Sequence, residues 1–105
     1  MYITIQHNRF YRALIKEFRN QLVAPHKDDV EAQKVTAQMV KDLLANQNPD
    51  YPRDKFGLPI STTKIAPKEL NRHIEWIIRE GGHRGFTFLS VEEDWQRIMQ
   101  QANGL

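Results

Sequence analysis

Apolar residues recur every three or four positions in four stretches of this chain, and this spacing restricts its fold more than any other feature. It matches the 3.6-residue period of an amphipathic helix with one buried face. A chain of 105 residues has room for one hydrophobic core but not for two independent ones. The sequence therefore predicts a single, mainly helical domain over residues 1–105, with about four helices and a long central loop.

The first two predicted helices lie in the N-terminal half. The first runs from Asn8, a residue type that caps helices, to about Val23, and Pro25 ends it. The second begins at Asp28, with Glu31 placed as in a capping box. Its wide apolar face predicts a position at the centre of the core. Its narrow polar face mixes both signs of charge, which is typical of a solvated surface.

Two more helices are predicted towards the C-terminus. The third begins at Pro67, which suits a first helical turn, and stops at Gly81-Gly82. The fourth follows a capping box formed by Ser90 and Glu93.

Two segments outside these helices predict a small β element, so an α+β fold is the alternative. Met1–Gln6 alternates apolar and polar residues and is rich in β-branched types, which predicts a short N-terminal strand. In the long loop Asn46–Ile65, the apolar residues Phe56, Leu58 and Ile60 alternate in the same way. A loop of this length is either functional or poorly ordered.

Composition narrows the class of protein. The chain has no cysteine, which excludes disulfides and thiolate metal sites and fits a reducing compartment. No apolar run approaches the roughly 20 residues that span a bilayer. Met1–Gln6 is too short and too polar for a signal peptide. We therefore expect a soluble, cytoplasmic protein that makes no membrane contact.

Motifs of catalysis are missing from the sequence. There is no glycine-rich phosphate loop and no nucleophile elbow. The four histidines (His7, His26, His73 and His83) are never three or four residues apart, the spacing that places two metal ligands on one helical face. They are expected at the surface or at helix ends. We predict no catalytic residue, no metal and no cofactor, and hence a binding protein rather than an enzyme.

A row of basic residues is the strongest sign of a binding surface. Four cations share the face of the first helix opposite its apolar side: Arg9, Arg12, Lys16 and Arg19. Rows of this kind contact phosphates, because binding releases counterions from the nucleic-acid backbone. A solvated helix face with no ligand is the alternative.

The central loop and the third helix add further candidates for nucleic-acid contacts. Cations and hydroxyls suited to phosphates are Arg53, Lys55, Ser61, Thr62, Lys64 and Arg72. Aromatic residues suited to stacking on bases are Tyr51, Phe56 and Trp76. The structural alternatives are that Phe56 fills the core, that Tyr51 packs on Pro52 and that Trp76 covers the core margin.

Two segments, which together cover under a third of the chain, resemble phage recombination proteins of the lambda NinB (Orf) type. Residues 7–18 are similar to that family's Gln-Asn-Arg opening and aromatic, apolar helix, with His7 in place of glutamine. Residues 61–77 are similar to its Ser-Thr element and the amphipathic helix that follows. The resemblance implies a dimeric protein that binds single-stranded DNA and helps to load recombinases. Four residues match the motifs: Asn8, Arg9, Ser61 and Thr62.

Three hypotheses follow. The first is a nucleic-acid-binding accessory protein of phage or plasmid recombination or replication. It would act as a homodimer on single-stranded DNA, with DNA favoured over RNA. The second is a small protein-interaction module, an inhibitor or adaptor, which would need an exposed apolar patch. The third, a small nuclease, would need several acids converging on a metal ion.

Overall fold

The computed structural model describes the backbone of residues 5–89 and the side chains of residues 7–89. Over this range the chain is mainly helical, as predicted, and it forms no strand. The helices are α1 (Ile5–Val23), α2 (Val30–Gln33), α3 (Ala37–Gln47) and α4 (Pro67–His83), with 3-10 turns at Ala24–His26 and Thr62–Lys64. The predicted fourth helix, from Ser90 onward, lies outside the described residues.

Helix α1 begins earlier than the sequence predicts. Its first residue is Ile5, so Asn8 lies inside the helix and is not its cap. The predicted strand is therefore wrong for Ile5 and Gln6, whereas residues 1–4 lie outside the described range. His7 is fully buried, one helical turn before the buried Tyr11. The inward face thus continues to His7, and a lone strand with no partner offers no comparable stabilisation.

The predicted second helix is two helices. The carboxylate of Asp29, rather than that of Asp28, caps α2 by accepting from the backbone N–H groups of Glu31 and Ala32. Thr36 caps α3, and its hydroxyl accepts from the Met39 N–H at 3.1 Å. A cap stabilises the start of a helix, so the capping by Thr36 explains why α3 begins at Ala37.

Arg19, on α1, stabilises this break between α2 and α3. Its Nε donates to the Val35 carbonyl at 2.7 Å, and its Nη2 donates to the Gln33 carbonyl at 3.0 Å. In a continuous helix these carbonyls would instead accept from N–H groups four residues later. Arg19 therefore holds the connection between the two helices against α1.

Replacing Arg19 by glutamine should lower the free energy of unfolding by about 2 kcal/mol, because two hydrogen bonds from a charged donor are lost. Urea denaturation measures this change. Arg9→Gln is the matched control, since Arg9 is exposed on the same helix, and it should change stability by less than about 0.5 kcal/mol. Equal effects of the two substitutions would contradict the role of Arg19.

The hydrophobic core is formed by residues of α1, α3 and α4, and α3 packs directly against α1. Leu14, Leu70 and Ile74 are fully buried, and α3 adds Val40 and Leu44. The prediction that the second helix occupies the centre of the core is wrong for its first part, since α2 contains no buried residue. After the break at Lys34–Thr36, α3 does contribute Val40, Leu44 and Ala45 to the core.

Helix α4 continues past the expected stop at Gly81-Gly82 to His83. Gly81 is buried under the ring of Phe88, which occupies the space a Cβ would need. Gly85 follows the helix with a φ of 80°, a conformation that favours glycine after a helix end. Gly81 therefore serves packing, and Gly85 serves the turn.

The central loop is irregular, as predicted, but shorter, because α3 extends to Gln47. The alternating Phe56, Leu58 and Ile60 do not form a strand. Only an isolated antiparallel bridge between Arg53 and Pro59 forms there, because the segment folds back on itself after five residues.

Candidate functional site

A cleft of about 470 Å³ lies between α1 and α3. Its floor is apolar and includes the buried Tyr11 and Ile15. Its walls carry the cations Arg12 and Lys16 from α1 and Lys41 from α3. The spacing of four residues between Arg12 and Lys16 places both on the same side of α1. Two helices therefore supply cations to one concavity.

No acidic residue lines this cleft within the described part of the chain. Arg12 and Lys16 are exposed, whereas Lys41 is half-buried with its Nζ 6.0 Å from the centroid of the Tyr11 ring. Cations that are not neutralised by neighbouring acids attract anions, and concave walls strengthen the local field. The cleft can therefore bind an anion that also carries an apolar or aromatic part.

A second cleft, of about 280 Å³, shares Tyr11, Gln38 and Lys41 with the first. Its far wall is the end of the central loop, including Ser61 and Thr62. Asp42 also lines it, and the Asp42 carboxylate accepts from the Gln38 amide at 2.9 Å. The two clefts are therefore adjacent, and we call them together the basic groove, from Arg12 and Lys16 across Lys41 to Ser61 and Thr62.

The hydroxyl of Tyr11 lies beneath this groove. It is buried and has no hydrogen-bond partner among the described residues. Burial raises the pKa of Tyr11 strongly, and the Tyr51 hydroxyl and the Asp42 carboxylate raise it further. Tyr11 is therefore a protonated hydroxyl, able to donate a hydrogen bond, at the boundary between core and groove.

A buried polar pair lies deeper, between the central loop and α4. The Asn48 side-chain oxygen accepts from the Asp50 N–H at 3.0 Å, so its amide nitrogen faces His73 Nδ1, 2.9 Å away. Because the amide donates, Nδ1 must be the acceptor, and the proton of the neutral ring lies on Nε2. Burial lowers the pKa of His73 to about 4. His73 is therefore neutral at pH 7 and has one defined tautomer.

The histidines divide into two groups. His26 and His83 are exposed at helix ends, as expected, but the same expectation is wrong for His7 and His73, which are 0% and 1% exposed. Burial lowers the pKa of His7 too, against the opposing effect of a hydrogen bond with Asn71. These two rings are therefore core residues of α1 and α4.

The cations predicted to contact nucleic acid have different environments. Arg9, Lys55 and Lys64 are exposed. Arg53, by contrast, donates from Nη2 to the Asn46 carbonyl at 2.6 Å and to the Ala45 carbonyl at 3.3 Å. Like Arg19, it is engaged in holding the backbone, so both are poorly placed to contact phosphate. Asn8 is half-buried inside α1.

The three predicted stacking residues also differ. Tyr51 is buried, and its hydroxyl donates to the Ile60 carbonyl at 2.6 Å. Trp76 is half-buried and stacks nearly parallel to His73, with 6.0 Å between ring centroids. With Arg72, Trp76 lines a separate cleft of about 320 Å³ that also contains acidic residues. Only Phe56, 75% exposed, presents a free aromatic face.

Gln38 and Lys41 line the basic groove but are missing from the sequence prediction. The sequence predicts them on the narrow polar face of the second helix, together with Glu31, Lys34 and Asp42. The break between α2 and α3 separates Glu31 and Lys34 from the other three residues, so the predicted face is not continuous. Recognising Thr36 as a helix cap would have revealed this from the sequence.

Comparison with protein-family models, with curated proteins and with solved structures finds no match for this chain. Within residues 5–89 no helix is long and apolar enough to cross a membrane. Over the same part of the chain, no three histidine, aspartate or glutamate side chains converge in a way that would hold a metal ion.

Proposed function

We propose that this protein binds nucleic acid, with single-stranded DNA as the preferred ligand, along the basic groove. One observation carries the proposal: Arg12, Lys16 and Lys41 converge on the first cleft of this groove, which has an apolar floor and no acid among its described lining residues. Asp42 lines only the second cleft. Phosphates pair with such cations, and the unstacked bases of a single strand can lie on an apolar floor. Bases in a duplex are already stacked on one another, so their faces are not available to contact that floor.

Several features of the proposal rest on the sequence. The resemblance to NinB-type proteins supports an accessory role in phage or plasmid recombination, with a homodimer as the acting form. Ser61 and Thr62, which match that family's motif, line the far end of the groove. The role proposed is binding without catalysis.

Charge reversal in the groove tests the proposal. Arg12→Glu/Lys16→Glu should weaken binding of a labelled single-stranded oligonucleotide by at least about tenfold, because phosphate contacts become repulsive. Fluorescence anisotropy at two salt concentrations gives the affinity. Three phosphate contacts also predict that log K falls with log salt with a slope of about −2 for the unaltered protein.

Lys27→Glu/Lys68→Glu is the matched control. It changes the net charge by the same amount, and both lysines are exposed and line neither cleft of the groove. Its affinity should stay within about twofold of the unaltered protein at 0.15 M salt, where the Debye length is about 8 Å. Equal losses in both double variants would show that total charge alone matters and would overturn the groove as the binding site.

A protein partner is the second candidate function. Met39 and Leu43, one turn apart on α3, are 56% and 46% exposed, and exposed apolar side chains favour contacts with proteins. Under this candidate the groove variant would keep its activity. Met39→Ser/Leu43→Ser would lose that activity instead.

A further inference from the structure

The tip of the central loop, residues 54–58, is well ordered although it is exposed. The Asp54 carboxylate accepts from the N–H groups of Phe56 and Leu58 at 2.8 and 3.0 Å. The Asp54 N–H donates to the Leu58 carbonyl at 2.9 Å, and Gly57 adopts a φ of 80° within this turn. The side chain of Asp54 and the conformation of Gly57 thereby hold the backbone of the five residues 54–58.

This tip is also anchored to the body of the protein. Arg53 bridges the tip and α3, because its Nη1 donates to the Gly57 carbonyl at 3.1 Å while its Nη2 contacts the end of α3. At the base of the loop, the buried Tyr51 donates to the Ile60 carbonyl, and the Ile60 N–H donates to the Pro52 carbonyl. The tip therefore has a defined position relative to the groove.

The ordered tip presents apolar side chains to solvent. Phe56 is 75% exposed and Leu58 is 60% exposed. The Lys55 ammonium lies 5.2 Å from the centroid of the Phe56 ring, so a cation and an aromatic face are available at the same place. A nucleotide has the complementary pair, a phosphate and a planar base.

The tip adjoins the basic groove along the chain. Pro59 and Ile60, which follow the tip directly, line the second cleft together with Ser61 and Thr62. Pro59 thus connects the second cleft to the turn that carries Phe56. Two apolar side chains beside Lys55 and Asp54 make too small a patch for a stable protein interface.

We propose that Phe56 stacks on a base of a single strand bound in the basic groove and so sets the preference for single strands over duplexes. This inference rests on the proposed function. The backbone that carries Phe56 is hydrogen-bonded before binding, so little backbone entropy is lost when a base stacks on the ring. A duplex offers phosphates to the groove but no free base face to Phe56.

The test compares Phe56→Ala, Phe56→Trp and Leu58→Ala by anisotropy with a mixed-sequence oligonucleotide, as a single strand and as a duplex. Phe56→Ala should weaken single-strand binding by about tenfold and change duplex binding by less than about twofold. Phe56→Trp should restore single-strand affinity, and fluorescence of the new tryptophan should be quenched by the single strand. Leu58→Ala, the matched control on the same turn, should change either affinity by less than about twofold.

The outcomes distinguish a failure of the stacking role of Phe56 from a failure of the proposed nucleic-acid binding. If Phe56→Ala leaves the strand preference unchanged while the Arg12/Lys16 reversal abolishes binding, the stacking role is wrong and the groove stands. Equal losses on single strand and duplex also refute stacking. If the unaltered protein binds neither oligonucleotide at low salt, the proposed function fails and the stacking role fails with it.

Discussion

Leu14→Ala is expected to lower the free energy of unfolding by about 3 kcal/mol. Leu14 is 0% exposed on α1, within the hydrophobic core, so alanine would leave a cavity there in addition to losing buried apolar surface. A chain of this size has only about 5–15 kcal/mol of total stability, so the variant should unfold at clearly lower denaturant concentration. Urea denaturation followed by far-ultraviolet circular dichroism measures the change.

Leu43→Ala is the same substitution at a leucine that is much less buried. Leu43 is 46% exposed on α3, so this substitution should cost less than about 1 kcal/mol. The comparison tests the burial of the two leucines, because equal burial would give both substitutions similar costs. Similar midpoints for the two variants would therefore contradict the packing described above.

Stability should fall by about 3 kcal/mol as the pH is lowered from 7 to 4, through His73 alone. The pKa of His73 is about 4 in the fold against an ordinary value of 6.5. Between these values the unfolded chain binds the proton and the folded chain does not, so lower pH favours unfolding. The stabilisation is complete above pH 6.5 and is lost as the pH falls to about 4, at about 1.4 kcal/mol per pH unit.

His73→Gln provides the comparison, because glutamine keeps an acceptor for Asn48 and does not titrate. Urea unfolding at pH 7, 6 and 5 should show a clearly smaller loss of stability in this variant than in the unaltered protein. His7, whose pKa is lowered in the same direction, should account for part of the dependence that remains. An identical dependence in both proteins would show that His73 is not the group responsible.

Much of the fold follows from local sequence. The apolar spacing around Phe10–Phe18 and Leu70–Ile77 predicts α1 and α4, because apolar residues three and four positions apart indicate one face of a helix. The break at Lys34–Thr36 has a local signal in the Thr36 cap, whereas its attachment to α1 by Arg19, 14 to 16 residues earlier, lies outside any local window. Burial of His7 and His73 likewise depends on polar partners distant in sequence, Asn71 for His7 and Asn48 for His73.

The candidate site divides in the same way. Arg12 and Lys16 were predicted, because helical geometry alone places them together. Lys41 was not, since its place in the groove requires the position of α3 against α1. Arg19 and Arg53 are of the residue type expected at a phosphate-binding surface, yet both donate hydrogen bonds to backbone carbonyls. Residue type alone does not distinguish a cation that binds a ligand from one that holds a loop.

Helix α2 has a consequence for how this chain can vary in length. Residues 24–30 are all exposed and α2 buries no side chain, so the segment adds little to the core. The segment is attached to α1 at Gln33 and Val35, whose carbonyls accept hydrogen bonds from Arg19. Insertions, deletions or a grafted peptide between Pro25 and Ala32 would leave that attachment in place. We therefore expect a reporter peptide inserted in this segment to leave the groove intact, since residues 24–30 line neither of its clefts.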